Sequence, residues 1–564
     1  MSSIKIKNMC NAYRNCTNLT GSPVCSKNVT NMGYTYYNCQ NLTGPPICGN
    51  NVTNMDHTYY NCQNLDKSAY LYSNNITNIQ GCFSGRNINN TLNIYVYDNS
   101  TTLNTCLYSD TNSIYGQNIT WTNNITTNGY YHNSAYNTYI YPVNNINEIY
   151  NRDYMFSRLS ILNNGSLSIY SYDESIKQIL INNTSYNFYD TSYSVGNGTI
   201  VYIDGNFHLR QTSIKIDLNN SRIGNNATNM YKTFYNCRNL IGSPVCGQNV
   251  TDMYETYMYC RNITGSPACG PNVTNMYRTY ENCYSLTGSP VCGDNVTNMY
   301  HAYYLCKNLK GSPVCGQNVT NMYNAYTHCY NLTGSPVCGD KVTNMEGAYM
   351  NCWNLDGSPV CGNKVTRMTW TYYNCQNLIG SPVCGDNVTS MHYAYYNCKK
   401  LTGSPVCGNN VKYMNYAYSG CDNLTGSPVC GNNVTHMYDA YYGCRNLTGP
   451  AICGPNVTDM TNTYRNCTSL TGNAYFFSNE VYNAGNCFSG RNSSNILNIY
   501  VYNNSTTLNT CLYNNSYSLY GQSITWTNDM ANGCYYNTTY NTYIYPVENV
   551  YNAYLANENK PYNS

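Results

Sequence analysis

Cysteine combines reactivity with regular placement in this chain. There are 32, and Cys260, Cys283, Cys306, Cys329, Cys352, Cys375, Cys398, Cys421, Cys444 and Cys467 follow one another at 23-residue intervals. A second series runs in step, from Cys246 and Cys269 through Cys453. Thiols so placed have three uses: apolar packing, disulfides across the 14- and 9-residue gaps between the series, or metal ligation. Zinc needs clustered ligands at suitable spacing, yet no Cys-x-x-Cys occurs and the histidines share no repeat position: His301 stands five residues before its cysteine, His328 one and His392 six. No nucleophile with a base, no paired carboxylates and no phosphate loop stand out. The sequence therefore predicts no catalytic residue, no metal site and no cofactor.

The same interval governs everything else from Asn226 to about Thr471, so this stretch is one small unit copied side by side. Units of this length stack against their neighbours and present long uniform faces rather than a pocket. A shorter array, with Cys16, Cys39 and Cys62, fills residues 1–64. Each array is followed by a segment that is itself duplicated. Cys82-Phe-Ser-Gly-Arg-Asn87 returns as Cys487 to Asn492, Leu92-Asn-Ile-Tyr-Val-Tyr97 as Leu497 to Tyr502, and Ile119-Thr-Trp-Thr-Asn123 as Ile524 to Asn528. The organisation read from this is a short array (1–64), a closing module (65–151), a β-rich connector (152–225), a long array (226–472), and a second closing module with a C-terminal tail (473–564). Solenoid ends expose core and strand edge, so the closing modules are expected to cap them.

Only 10% of residues are charged and the net charge is +2, against about 25% charged in a typical soluble protein. Binding of nucleic acid through phosphate neutralisation is disfavoured. Asn, Ser, Thr and 67 tyrosines supply the polar surface instead. Residues Met1 to Asn8 contain no apolar export segment, and no apolar run approaches the roughly 18 residues needed to cross a bilayer. That predicts synthesis in a reducing compartment and no membrane insertion. The Asn-x-Thr triplets, such as Asn272-Val-Thr and Asn331-Leu-Thr, read as chance in so Asn-rich a chain.

Within one unit, Met276, Thr279, Tyr280 and Cys283 fall at i, i+3, i+4 and i+7, the pattern of one helical face. A two-turn helix with this stripe buried is predicted, capped near Thr274 or Asn275. Ser289-Pro-Val-Cys292 reads as a very short strand entered by proline. Strands stack about 4.8 Å apart and helices about 8–10 Å apart, so the mismatch predicts a curved stack with strands inside the curve. If Val291 points inward, the second cysteine series lines that concave side.

The segment Asn-Val-Thr-Asn-Met-Tyr-x-x-Tyr-x-Asn-Cys-x-x-Leu resembles the leucine-rich repeats of BspA-like bacterial surface proteins and the related mycoplasma lipoprotein repeats, over the helical two thirds of each unit. The strand part differs, with Ser-Pro-Val-Cys in place of Leu-x-Leu. The closing modules resemble segments of repeat proteins of gut, including crAss-like, bacteriophages. The resemblance implies an α/β solenoid of strand-helix units with small mainly-β closing modules. It also implies a non-enzymatic virion or surface adhesion protein, located on the virion surface. Expected partners are a host glycan or protein receptor, or other virion proteins, and a homo-oligomer is possible; an intracellular protein-binding scaffold is the alternative. Five residues before each inner cysteine the chain varies most. There Trp370, Tyr393 and Tyr416 occupy three successive units and form the expected binding strip.

Overall fold

The computed structural model describes residues 6–65, 68–125, 129–186, 188, 192–209, 213–529 and 531–559. Parts of the connector, and the last residues of the expected C-terminal tail, lie outside the described residues. The chain divides into two compact units, 1–154 and 155–564.

In the second unit the long array is a stack of rungs joined by parallel bridges, Asn229 to Asp252, Asp252 to Asn275 and onward to Asn483. The buried stripe is the one the sequence marks: Met345, Ala348, Tyr349 and Cys352 are wholly buried, as are their counterparts along the array. The helix, however, does not form. The N–H groups of Met345, Gly347, Tyr349 and Asn351 donate to carbonyls of the following unit, those of Arg367, Thr369, Thr371 and Tyr373. Those of Ala348, Met350 and Cys352 donate three residues back, to Met345, Gly347 and Tyr349. Alternate amides are thus turned along the stack. The residues that reverse the chain sit in the left-handed region, Gly347 at φ 62° and Asn351 at φ 59°. A helix satisfies its N–H groups internally, four residues back; here half of them hold neighbouring rungs together. The strand-helix unit expected above is therefore corrected to a unit of successive tight turns.

The strand is corrected as well. Interior Ser-Pro-Val-Cys segments are extended but form no ladder, and regular strand appears at the array ends, in Leu240–Ile241 and Ala451–Cys453. Proline withholds one donor, and the valine's backbone groups are taken by a side chain. The hydroxyl of Tyr303 accepts from Val291 N–H at 3.1 Å and donates to Val291 C=O at 2.6 Å, and every interior unit repeats the pair. The same tyrosines stack face to face in one column, from Phe234 through ten Tyr rings to Phe488, with centroids 5.2–5.7 Å apart. The helix spacing that was to curve the stack does not arise.

Both cysteine series face the core. The inner thiols donate to a carbonyl of the preceding unit, Cys352 Sγ to Tyr326 C=O at 3.0 Å. The outer series packs against the hydrophobic core as well, half-buried from Cys246 to Cys407 and buried at Cys430 and Cys453. A Cβ on Gly362 would lie 2.9 Å from Cys338 Sγ, which explains the glycine after each outer cysteine.

At its start the array pairs with the connector. Ile216–Arg222 runs parallel to Leu240–Ile241, and on its other side joins an antiparallel sheet with Ser157–Ile161, Ile200–Asp204, Gln178–Ile181 and Thr184–Tyr186. At its end Ala451–Cys453 continues in parallel into Gly472–Phe476, Leu497–Tyr502 and Thr542–Val547, after which Cys534–Asn537 and Thr527–Asp529 turn antiparallel. Arg491 pins this module from inside. It is 7% exposed, and its guanidinium donates to the carbonyls of Asn492, Asn495, Tyr540 and Asn541 and to the hydroxyls of Tyr520 and Thr542.

The first unit repeats the plan in short form. Tyr13, Tyr36, Tyr59 and Phe83 stack 5.2–6.0 Å apart. Ile47–Cys48, Ser68–Leu71, Leu92–Tyr97 and Thr138–Val143 pair in parallel, and Arg86 holds the counterparts of Arg491's partners.

Candidate binding face on the repeat array

Turning alternate amides along the stack projects the side chains between buried positions outward, at one rung per unit. Six residues before the inner cysteines this produces a ladder of tyrosines. Tyr231, Tyr254, Tyr277, Tyr300 and Tyr323 stack in order with centroids 5.2, 4.6, 4.7 and 4.9 Å apart. Charged groups brace it. Lys232 Nζ lies 5.2 Å from the Tyr231 ring and 3.5 Å from Glu255, and Arg278 lies 5.3 Å from the Tyr277 ring and 3.3 Å from Glu281. The His301 ring lies 4.4 Å from that of Tyr300, with its Nδ1 3.2 Å from Glu281. Rings stacked this way turn their edges and hydroxyls outward, so the ladder offers hydrogen-bonding groups in a row rather than open faces.

The strip expected from the sequence lies farther along. Tyr393 and Tyr416 stack, with centroids 4.3 Å apart and planes within 5°. Trp370 is the exposed member at 37%, and its nearest ring partner is His392, tilted at 6.3 Å. His392 also meets Tyr393 edge-on at 4.5 Å. The structure thus joins two of the three residues directly and reaches the third through a histidine. Burial pushes the hydroxyls of Tyr393 and Tyr416 above their ordinary range and lowers the pKa of His392.

All three strip residues hold a left-handed backbone, at φ 55°, 54° and 56°. Lys232, Glu255, Arg278, His301, Asn324, Gly347, Asp439 and Asn462 hold it at the same position in other units, so it belongs to the rung whatever residue stands there. For a bulky L-residue this conformation costs about 1–2 kcal/mol, which Gly avoids and Asn offsets locally.

The sequence reading missed the ladder from Tyr231 to Tyr323, although it was marked by a tyrosine after methionine in five successive units. It also missed a column one residue after the inner cysteines, where Tyr330 and Trp353 stack 4.2 Å apart. Among the described residues no cluster of three His, Cys, Asp or Glu is arranged to hold a metal ion, and no helix is long and apolar enough to cross a membrane.

Residues 3–93 match a family described as "Mycoplasma protein of unknown function, DUF285". No curated protein matches the chain. Two solved structures are similar to it. One is a leucine-rich repeat protein from Bacteroides ovatus ATCC 8483, at 15% identity and TM-score 0.35, covering 59% of this chain and 95% of that one. The other is a leucine rich cell surface protein from Faecalibacterium prausnitzii A2-165, at 16% identity and TM-score 0.27, covering 54% of this chain and 94% of that one. Over residues 3–93, covering the short array and the start of the first closing module, the chain is similar to the mycoplasma repeat family.

Proposed function

We propose that this chain is a non-enzymatic binding scaffold whose long array presents an aromatic face to a partner on a surface. The observation that carries the reading is the run Trp370, Tyr393, Tyr416: three aromatic residues on successive rungs, two of them stacked with centroids 4.3 Å apart and the third exposed. Aromatic residues anchor interfaces because they bring large contact area with few rotatable bonds. The rungs hold them in fixed register without help from a ligand.

Within that reading, the chain is a virion or surface protein of a gut bacteriophage that engages a host glycan or protein receptor, or a neighbouring virion protein. Its support is the resemblance of the closing modules. An intracellular protein-binding scaffold is the second reading, favoured by the burial of most of the thiols. Mass spectrometry of purified particles separates them: recovery of this chain in stoichiometric amount supports the virion reading, and its absence from particles with presence in the host lysate supports the scaffold.

A further inference from the structure

We infer that the long array carries a site for an acidic polysaccharide, centred on Trp353 and Lys307. The inference rests on the scaffold reading above and adds a ligand class on a different column. One residue after the inner cysteines, five successive units carry Arg261, Tyr284, Lys307, Tyr330 and Trp353. The Tyr284 ring is clasped between two cations, Arg261 at 5.2 Å and Lys307 at 5.0 Å from its centroid. Tyr330 and Trp353 form the adjoining plate, their planes within 17°. Trp353 is 44% exposed, more than Trp370, and the following unit places Gln376, not a ring, beyond it.

Charge at this column is uncompensated. Lys232 and Arg278 each have a carboxylate partner, and Glu281 is held by Arg278 and His301. Among the described residues Arg261 and Lys307 form no ion pair, and they rest on the Tyr284 ring instead. Beside them, His328 Nδ1 faces two donors, the Tyr330 hydroxyl and the Asn351 amide, each at 3.3 Å. That network makes Nδ1 the acceptor and leaves the Nε2–H as a further neutral donor.

Aromatic plates flanked by uncharged donors suit the C–H face and hydroxyls of a sugar ring, and unpaired cations add attraction for its carboxylate or sulfate. The column advances one rung at a time, so an extended polymer lying along the stack meets it in register. Nucleic acid is disfavoured, because phosphate neutralisation calls for a denser run of cations than two in five rungs.

The test uses the full chain and affinity electrophoresis in gels containing polygalacturonate, its methyl-esterified neutral form, or oligothymidine. The expected result is retardation by polygalacturonate alone, weakened by added salt. Trp353→Ala and Lys307→Gln should each weaken it about tenfold, the effect of losing one anchoring contact, while Tyr482→Asn, at an exposed aromatic residue outside the column, retains it. Equal retardation by the esterified polymer, full retention by both weakened variants, or preference for oligothymidine overturns the site. If the wild-type chain ignores polygalacturonate yet attaches to its target cells, this site is wrong and the scaffold reading stands. If it does neither, both fall.

Discussion

Tyr349 and Val337 satisfy one another through a single hydroxyl: it donates to the valine carbonyl at 2.6 Å and accepts from the valine N–H at 3.0 Å. The two residues are 12 apart in sequence, and the contact closes each rung across its core. It explains why this column is tyrosine rather than phenylalanine, and why the Pro-Val segment needs no strand partner.

Removing the ring and removing the hydroxyl should therefore be separable. Tyr349→Ala loses the stacks to Tyr326 and Tyr372, both at 5.6 Å, and is expected to destabilise by about 3–5 kcal/mol. Tyr349→Phe keeps the stacks but leaves two part-buried backbone groups without their partner, at about 1–3 kcal/mol. Met350→Gln, at a half-buried outward position, should cost under about 1 kcal/mol. Equal thermal shifts for all three would mean that the inward face is misassigned.

The thiols set an alkaline limit. Burial raises the pKa of Cys292, Cys338, Cys384 and Cys407 from 9.0 to about 12. A raised folded-state value means the stabilising contribution is complete below the unfolded value and lost as pH rises through the folded one. Stability should be insensitive to these groups below about pH 8 and fall between pH 9 and about 12. At neutral pH, thiol labelling should be fast at the exposed Cys10 and Cys16 and slow elsewhere until denaturant is added. Uniform fast labelling would contradict the packing.

Arg491→Lys tests the closing module. Lysine cannot reproduce a guanidinium fork, so several buried carbonyls lose their donor, and a loss of about 2–4 kcal/mol is expected. Hydrogen exchange should quicken first in Leu497–Tyr502 and Thr542–Val547, then in the last rungs, because stability passes between neighbours in a stack. Exchange unchanged in both strands would remove the capping role.

Asn466→Gly should be nearly neutral and Asn466→Ala should cost about 1 kcal/mol, since that residue sits at φ 62°. In a helix the order would be reversed, with alanine the better residue. Circular dichroism of the intact chain should likewise show little helix.

The buried stripe was legible in the sequence because period alone reports which side chains face inward. The backbone was not, since the i, i+3, i+4, i+7 pattern that fits a helix also fits a turn-built rung whose amides point along the stack. The discriminating signal was present. Asn236, Asn282, Asn351, Asn374, Asn397 and Asn466, with Gly420 and Gly443, all precede an inner cysteine, and all are left-handed in the structure. Asn and Gly are the residues that tolerate that conformation, and their recurrence there argues against a continuous helix. The tyrosine hydroxyl's partner was hidden because it lies across the rung. At the binding face, position five before the cysteine was readable as variable, but the ring contacts depend on which rotamers neighbouring rungs leave open, as the insertion of His392 between Trp370 and Tyr393 shows.

Recognition is proposed above to lie on the aromatic face of the long array. Its most direct measurement compares attachment to target cells by the wild-type chain, by the triple variant Trp370→Asn, Tyr393→Asn, Tyr416→Asn, and by a chain lacking residues 473–555. Asparagine is what Asn324 and Asn462 supply at the same left-handed position, so the triple variant should melt no lower than wild type. Attachment should weaken by about tenfold or more at unchanged melting temperature. Undiminished attachment by the triple variant, with loss on deleting residues 473–555, would contradict it and move recognition to the closing module.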